Sequence, residues 1–101
     1  MKNEINKKIK VILDLVLEIN SIKGYDAFFN YSGHVDSIEV RVQEIHNYEE
    51  DEEYSIYLDS RVYLSNDFYV DKDDKLERLN SLQTRLSYFL DKIKNENKEN
   101  N

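Results

Sequence analysis

The side chains of this sequence that could take part in chemistry are its two histidines and the carboxylates near them. His34 lies two residues before Asp36, and His46 lies between Glu44 and a run of acids that begins at Glu49. Imidazole and carboxylate groups are ordinary metal ligands, so a metal site is one interpretation of each cluster. Neither spacing matches a fixed metal-binding motif such as His-Glu-x-x-His. We therefore expect turn and loop histidines and no metal site.

Nucleophilic catalysis would depend on serine, because the chain contains no cysteine. The serines of the central segment have neither a glycine elbow nor an evident His–Asp pair: Ser32, Ser37, Ser55 and Ser60. With Gly24 and Gly33 as the only glycines, the chain has no glycine-rich loop for phosphate. The lack of cysteine also excludes disulfide bonds and thiolate zinc sites. We expect no enzymatic activity and no cofactor.

Negative charge is concentrated in the middle of the chain. Residues 24–75 carry four basic residues against fourteen acidic ones, and the whole chain has a net charge of −7. Nucleic-acid binding needs Lys and Arg to neutralise phosphates, so direct binding of nucleic acid is disfavoured. A basic protein surface is a more natural partner. Five consecutive acids, named the acid run below, lie at the centre of this segment: Glu49, Glu50, Asp51, Glu52 and Glu53.

The acid run has two main interpretations, with direct cation binding as a third. It could be a solvated loop between two strands, where like charges discourage edge-to-edge association. It could instead be an anionic patch that docks on a basic groove, as nucleic-acid phosphates do, with tyrosines as apolar anchors. Eight of the 101 residues are Tyr, although amphipathic strand tyrosines are the ordinary explanation. The predicted partner-binding residues are Glu49, Glu50, Asp51, Glu52, Glu53, Asp36, Glu39, Asp59, Asp67, Tyr48, Tyr57 and Tyr63.

Two helices are predicted from apolar residues at helical spacing. The first runs from about residue 4 to residue 22 and ends near Gly24. Its apolar face, around "VILDLVL", is broader than a helix lying on a small sheet requires. The second covers residues 71–94, and residues 95–101 form a flexible polar tail. The stripes consist of Ile5, Ile9, Ile12, Val16 and Ile19 in the first helix, and Leu76, Leu79, Leu82, Leu86, Phe89, Leu90 and Ile93 in the second.

Between the helices the apolar pattern alternates with a period of two, which is typical of half-buried strands. Three segments show it: "YDAFFNY", "HVDSIEVRVQ" and "EYSIYLD". In the third, the alternation predicts that Ile56 faces the core and Tyr57 faces outward with Asp59. Gly33 supplies the glycine that a tight hairpin turn favours. Residues 61–70 could add a short fourth strand or a packed loop.

Together these elements predict one α+β domain over residues 1–94. An N-terminal helix, three or four antiparallel strands and a C-terminal helix would place both helices on one face of the sheet. No stretch approaches the roughly 20 apolar residues that span a bilayer. Asp14 and Glu18 interrupt the N-terminal apolar run, so we expect a helix rather than a signal peptide. The expected location is the cytoplasm, away from membranes.

The segment "FFNYSGHVDSIEVRV" (residues 28–42) resembles small proteins encoded by phages and prophages of low-GC Gram-positive bacteria. Those chains open with a helix, continue with an aromatic-rich strand, a "YSGHV"-like turn and an alternating strand, and close with a helix. The similarity spans most of residues 4–94 and brings no catalytic residues. Some acidic phage proteins of similar build, including certain anti-CRISPR proteins, block a basic nucleic-acid channel. The resemblance therefore implies an inhibitor that occupies a basic surface of a host protein.

Self-association is the alternative function. The broad apolar face of the first helix could form a two-fold interface, the commonest oligomer symmetry. The protein would then be a structural or assembly factor, and the acid run would serve only solubility. The predicted dimer-interface residues are Val11, Leu15 and Leu17. The two functions are compatible, because a dimer could present two acidic patches.

Overall fold

The computed structural model describes residues 2–46, 53–64 and 72–99. They form helix α1 (Lys2–Asn20), strands β1 (Tyr25–Ser32), β2 (Ser37–His46) and β3 (Glu53–Tyr63), and helix α2 (Lys72–Glu99). The strands are antiparallel in the order β1-β2-β3. This order confirms the predicted helix–sheet–helix α+β fold. Six predicted partner-binding residues lie outside the described residues: Tyr48, Glu49, Glu50, Asp51, Glu52 and Asp67.

The core lies between the two helices and one face of the sheet. The buried strand residues share that face because successive side chains of a strand point to opposite sides. Helix α1 contacts β1 and α2, and α2 also contacts β3. Both helices therefore cover the same side of the sheet, as predicted. The buried core comprises Ile5, Ile12, Val16 and Ile19 of α1, Ala27, Ile38, Val40, Val42, Leu58 and Val62 of the sheet, and Leu79, Leu82, Leu86, Leu90 and Ile93 of α2.

The helix boundaries differ from the predicted ones. Helix α1 ends at Asn20 instead of residue 22, because its last turn tightens: the Ser21 N–H donates to the Glu18 carbonyl over 3.0 Å. Gly24 then adopts a φ of 99°, a left-handed conformation that glycine tolerates best. Helix α2 continues to Glu99, past the predicted end at residue 94, since neither Gly nor Pro follows to stop it.

The asparagine that ends α1 ties the helix to the first strand. The Asn20 side-chain amide donates to the Ala27 carbonyl and accepts from the Ala27 N–H, both over 2.7 Å. The amide thus meets the backbone of β1 as a neighbouring strand would. Where β3 ends, at the opposite edge of the sheet, the buried Lys75 amine of α2 donates to the Leu64 carbonyl over 2.9 Å.

The β1–β2 turn depends on an aspartate rather than on its glycine. Ser32 pairs with Ser37, and Asp36 between them has a φ of 50°. Asp and Asn accept this left-handed conformation more readily than other residues with a Cβ. The Tyr31 hydroxyl donates to Asp36 Oδ1 over 2.7 Å. Gly33 lies in the predicted turn, but Asp36 and not Gly33 has the positive φ.

A β-bulge interrupts the pairing of β2 with β3. Val42 pairs with Leu58, but the next residue, Gln43, pairs with Ile56, which leaves Tyr57 without a partner. The extra residue reverses the alternation of side chains beyond it. Ile56 is therefore 58% exposed instead of facing the core, and Tyr57 packs on Phe89 of α2. The predicted orientations of Ile56 and Tyr57 are both wrong for this reason. Residues 61–63, considered for a fourth strand, are the end of β3.

Candidate functional site

The helices cover one face of the sheet, and within residues 2–46, 53–64 and 72–99 no element covers the opposite face, which we call the open sheet face. The strand pairing arranges the central side chains of this face in three rows. Each row crosses β1, β2 and β3 in turn. The rows are Asn30–Glu39–Arg61, Phe28–Arg41–Asp59 and Asp26–Gln43–Ile56.

Two cross-strand ion pairs occupy the middle of the open sheet face. An Arg61 guanidinium nitrogen is paired with Glu39 Oε2, and an Arg41 guanidinium nitrogen lies 3.4 Å from Asp59 Oδ2. Each pair joins residues directly opposite each other, where unlike charges stabilise a sheet. The hydrogen bond to Glu39 raises the pKa of Arg61 further above its ordinary value. Two predicted anionic residues, Glu39 and Asp59, are therefore neutralised within the protein.

Apolar side chains flank these ion pairs. Phe28 is 50% exposed on β1, and Ile56 is 58% exposed on β3. Tyr63 lies on the same face, since it pairs with Ser37, and its hydroxyl is hydrogen-bonded with Arg61. Aromatic residues and Arg among neutralised charges are the composition found at protein–protein interfaces. The sequence pattern did not single out Phe28, and it missed Ile56 because it carries no sign of the bulge.

Tyr57 lies on the helix side of the sheet, not on the open sheet face. Its hydroxyl donates to Glu44 Oε2 over 2.7 Å, which raises the pKa of Tyr57 to about 12. Its ring centroid is 4.9 Å from that of Phe89, which also makes an edge-to-face contact with Tyr25 at 5.6 Å. These contacts join β1, β2 and β3 to α2. The prediction that Tyr57 faces outward with Asp59 is therefore wrong.

Two acids of the predicted patch, Asp36 and Glu53, lie at opposite ends of the sheet. Asp36 lies in the β1–β2 turn, next to the first residue of β2. Glu53, the last acid of the run, begins β3 and pairs with His46, the last residue of β2. Ten residues of β2 separate these two ends of the sheet, about 30 Å at the rise of a strand. A partner that contacts both acids must span about the length of β2, and Asp36 already accepts a hydrogen bond from Tyr31.

The three residues predicted for a dimer interface do not share one surface. Leu15 is partly buried against the core, and Val11 lines the groove between α1 and α2 with Leu76. Leu17 is 58% exposed, and it lies about 160° around the helix from Leu15. The exposed neighbour of Leu17 on the same flank is Leu13, one turn earlier.

The described part of the chain contains no group of three or more His, Asp or Glu residues placed to hold a metal ion. His34 is exposed in the β1–β2 turn. Among the described helices, none is long and apolar enough to cross a membrane. No model of a known protein family matches the sequence, and no curated protein or solved structure matches it significantly.

Proposed function

We propose that this protein is a non-enzymatic binding protein that occupies a basic surface of another protein. The observation that supports this function best is the open sheet face, where Phe28 and Ile56 are exposed beside two internal ion pairs. In this proposal the open sheet face supplies the apolar contact, and the acid run supplies the charge that selects a basic partner.

The energetics favour apolar anchors over surface charges. An exposed charge pair at the rim of an interface is worth about 1 kcal/mol or less. Burying the exposed half of a Phe or Ile side chain contributes about 1 kcal/mol each, and neighbouring contacts add to it. Glu39 and Asp59 are already paired with arginines, so they offer little net charge to a partner. The acid run is the largest block of acids in the sequence and would act mainly on the association rate.

The resemblance of residues 28–42 to phage proteins suggests the class of partner. A phage or prophage protein acts in the cytoplasm of its host, and an acidic one can imitate nucleic-acid phosphates. We therefore propose a host protein that handles nucleic acid, such as an anti-phage defence protein, as the target. Blocking its basic channel, as certain anti-CRISPR proteins do, is the proposed mode of inhibition.

The proposal is tested by affinity capture from a low-GC Gram-positive lysate with the wild type and two variants. Phe28→Ser/Ile56→Ser removes the apolar anchors of the open sheet face. Leu17→Ser is the matched control, because Leu17 and Ile56 are equally exposed at 58%. We expect one basic partner that the wild type and the control retain, that the double variant loses, and that high salt weakens. Equal capture by all three proteins would contradict the proposal.

Self-association remains the second candidate, supported by Leu13 and Leu17 on one exposed flank of α1. It predicts a dimer whose mass, measured by light scattering, falls to that of a monomer in Leu13→Ser/Leu17→Ser. A monomeric wild type would exclude it. A dimer that persists in the Phe28→Ser/Ile56→Ser variant would locate the contact away from the open sheet face.

A further inference from the structure

Helix α2 carries a line of basic residues in an otherwise acidic protein. Arg78, Arg85 and Lys92 recur every seven residues, so they lie along one side of the helix, and all three are exposed. We call them the basic stripe. The ion pairs among the described residues use Arg41, Arg61 and Lys94, and none uses the basic stripe. Three cations therefore face solvent without a carboxylate partner in the described part of the chain.

The basic stripe lines a groove between α2 and β3. One part, of about 260 Å³, lies between Arg61 of β3 and Arg78 and Arg85 of α2. A second part, of about 380 Å³, lies between Tyr57 of β3 and Arg85, Tyr88 and Lys92 of α2. Arg85 lines both parts, so they adjoin, and together we call them the β3–α2 groove. Tyr88 is the most exposed of the large apolar or aromatic side chains described.

The two edges of the sheet differ. At the β1 edge, the Asn20 amide already binds the N–H and carbonyl of Ala27. The β3 edge is the other outer edge of the described sheet, and the segment Leu58–Tyr63 beyond the bulge pairs regularly with β2. Every second residue of an outer strand presents its N–H and carbonyl outward, which is a template for another strand. This template borders the β3–α2 groove.

We propose that the β3–α2 groove binds an extended acidic segment of a partner protein, which adds as a fourth strand at the β3 edge. Backbone hydrogen bonds supply affinity in this mode, and alternate side chains supply specificity. Alternate residues of the added strand face the helices, so their carboxylates meet the basic stripe. This surface adjoins the open sheet face at Arg61 but does not depend on Phe28 or Ile56.

The length of the basic stripe along α2 determines how long the bound segment of the partner is. Arg78 and Lys92 are 14 residues apart, about 21 Å along a helix. A strand covers that distance in about seven residues. Glu96, which acts on Tyr57 electrostatically, places negative charge just past Lys92 and limits the site at that end. A short acidic peptide fits these limits.

A single-stranded nucleic acid is the competing occupant, since bases stack on aromatic rings beside cations. Two observations favour the peptide. Outward N–H and carbonyl groups of β3 pair with a peptide backbone, whereas phosphates could use only the donors. The net charge of −7 repels a long polyanion more than a peptide with three or four carboxylates.

The test uses a labelled seven-residue peptide of alternating Val and Glu and the full-length protein, with binding followed by fluorescence anisotropy. We expect Arg78→Gln/Arg85→Gln to weaken binding about tenfold. Lys10→Gln/Lys23→Gln makes the same change in net charge elsewhere and should leave affinity within twofold. N-methylation of alternate amides along one edge of the peptide should abolish binding, whereas N-methylation along the other edge should not.

Three results would overturn the proposal. Undiminished binding of both N-methylated peptides would exclude strand addition. Tighter binding of oligo(dT) than of the peptide, lost in Arg78→Gln/Arg85→Gln, would make the groove a phosphate-binding surface. A dimer of the wild type that dissociates in Arg78→Gln/Arg85→Gln would make a second copy of this chain the occupant.

Discussion

The Tyr57 hydroxyl donates a hydrogen bond of 2.7 Å to Glu44 Oε2, from the unpaired position of the β-bulge to the neighbouring strand. The bulge turns Tyr57 to the helix side, where its ring packs on Phe89. The same bulge turns Ile56 outward. One inserted residue thus fastens the sheet to α2 and places an apolar side chain on the open sheet face.

The Tyr57–Glu44 bond predicts a loss of stability at alkaline pH. The pKa of Tyr57 rises from 10.0 to about 12 because its hydroxyl is bonded to a carboxylate. Below pH 10 the hydroxyl is protonated in both the folded and unfolded states, so its contribution is fully present. As pH rises from 10 to 12 the unfolded state releases the proton first, and the contribution is lost. Denaturant unfolding across this range should show a smaller decline in Tyr57→Phe than in the wild type.

Glu44→Gln provides the control for this prediction. It keeps an acceptor near Tyr57 but removes the negative charge, so the pKa of Tyr57 should fall toward its ordinary value. Ultraviolet titration of the tyrosines should then show an earlier ionisation than in the wild type. Identical titration curves would contradict the assigned bond.

The register of β3 predicts that substitutions at Ile56 and Leu58, two residues apart, will lower the free energy of unfolding by different amounts. Ile56→Ala should change the free energy of unfolding by less than about 1 kcal/mol, because most of the side chain is already exposed. Leu58→Ala, in the core, should cost about 2–4 kcal/mol. Denaturant titration measures both. Equal losses would indicate regular alternation without a bulge.

Substitutions at Asp36 test how its left-handed backbone and its hydrogen bond from Tyr31 stabilise the β1–β2 turn. Asp36→Ala should destabilise the protein, with about 1 kcal/mol arising from the left-handed backbone at a φ of 50°. Asp36→Gly relieves the backbone and loses only the bond from Tyr31, so it should be milder. Asp36→Asn keeps both an acceptor and tolerance of this conformation and should be the mildest. A different order of midpoints in urea would contradict the role assigned to Asp36.

The hydrogen bonds from Asn20 to Ala27 predict that the end of α1 stabilises the outer edge of β1. Asn20→Ala removes two hydrogen bonds to Ala27 and should cost about 1–2 kcal/mol of unfolding free energy. Asn20→Asp keeps the acceptor but sets a carboxylate against the Ala27 carbonyl, so it should cost at least as much. Hydrogen exchange at the Ala27 amide should accelerate in both variants. Unchanged exchange would show that the two hydrogen bonds from Asn20 do not hold β1 in place.

Periodicity was sufficient to predict the helices and the central strand, because burial of a single face imposes its period on α1, α2 and β2. The features it missed depend on contacts between strands. The bulge at Tyr57 adds one residue without any change in composition, and the pairing of Glu39 with Arg61 requires the register. The sequence pattern also did not indicate that Asp36 takes the left-handed position of the β1–β2 turn, which Asp and Gly both tolerate. The acid run lies outside the described residues, so its predicted role stays a prediction.

Side-chain NMR of the complex shows whether the open sheet face is the surface that contacts the partner. The partner obtained by affinity capture would be added to isotope-labelled protein, and the Phe28 ring, the Ile56 methyls and the Leu17 methyls would be observed. We predict large shifts at Phe28 and Ile56 and none at Leu17. Shifts at Leu17, with Phe28 and Ile56 unchanged, would contradict the account.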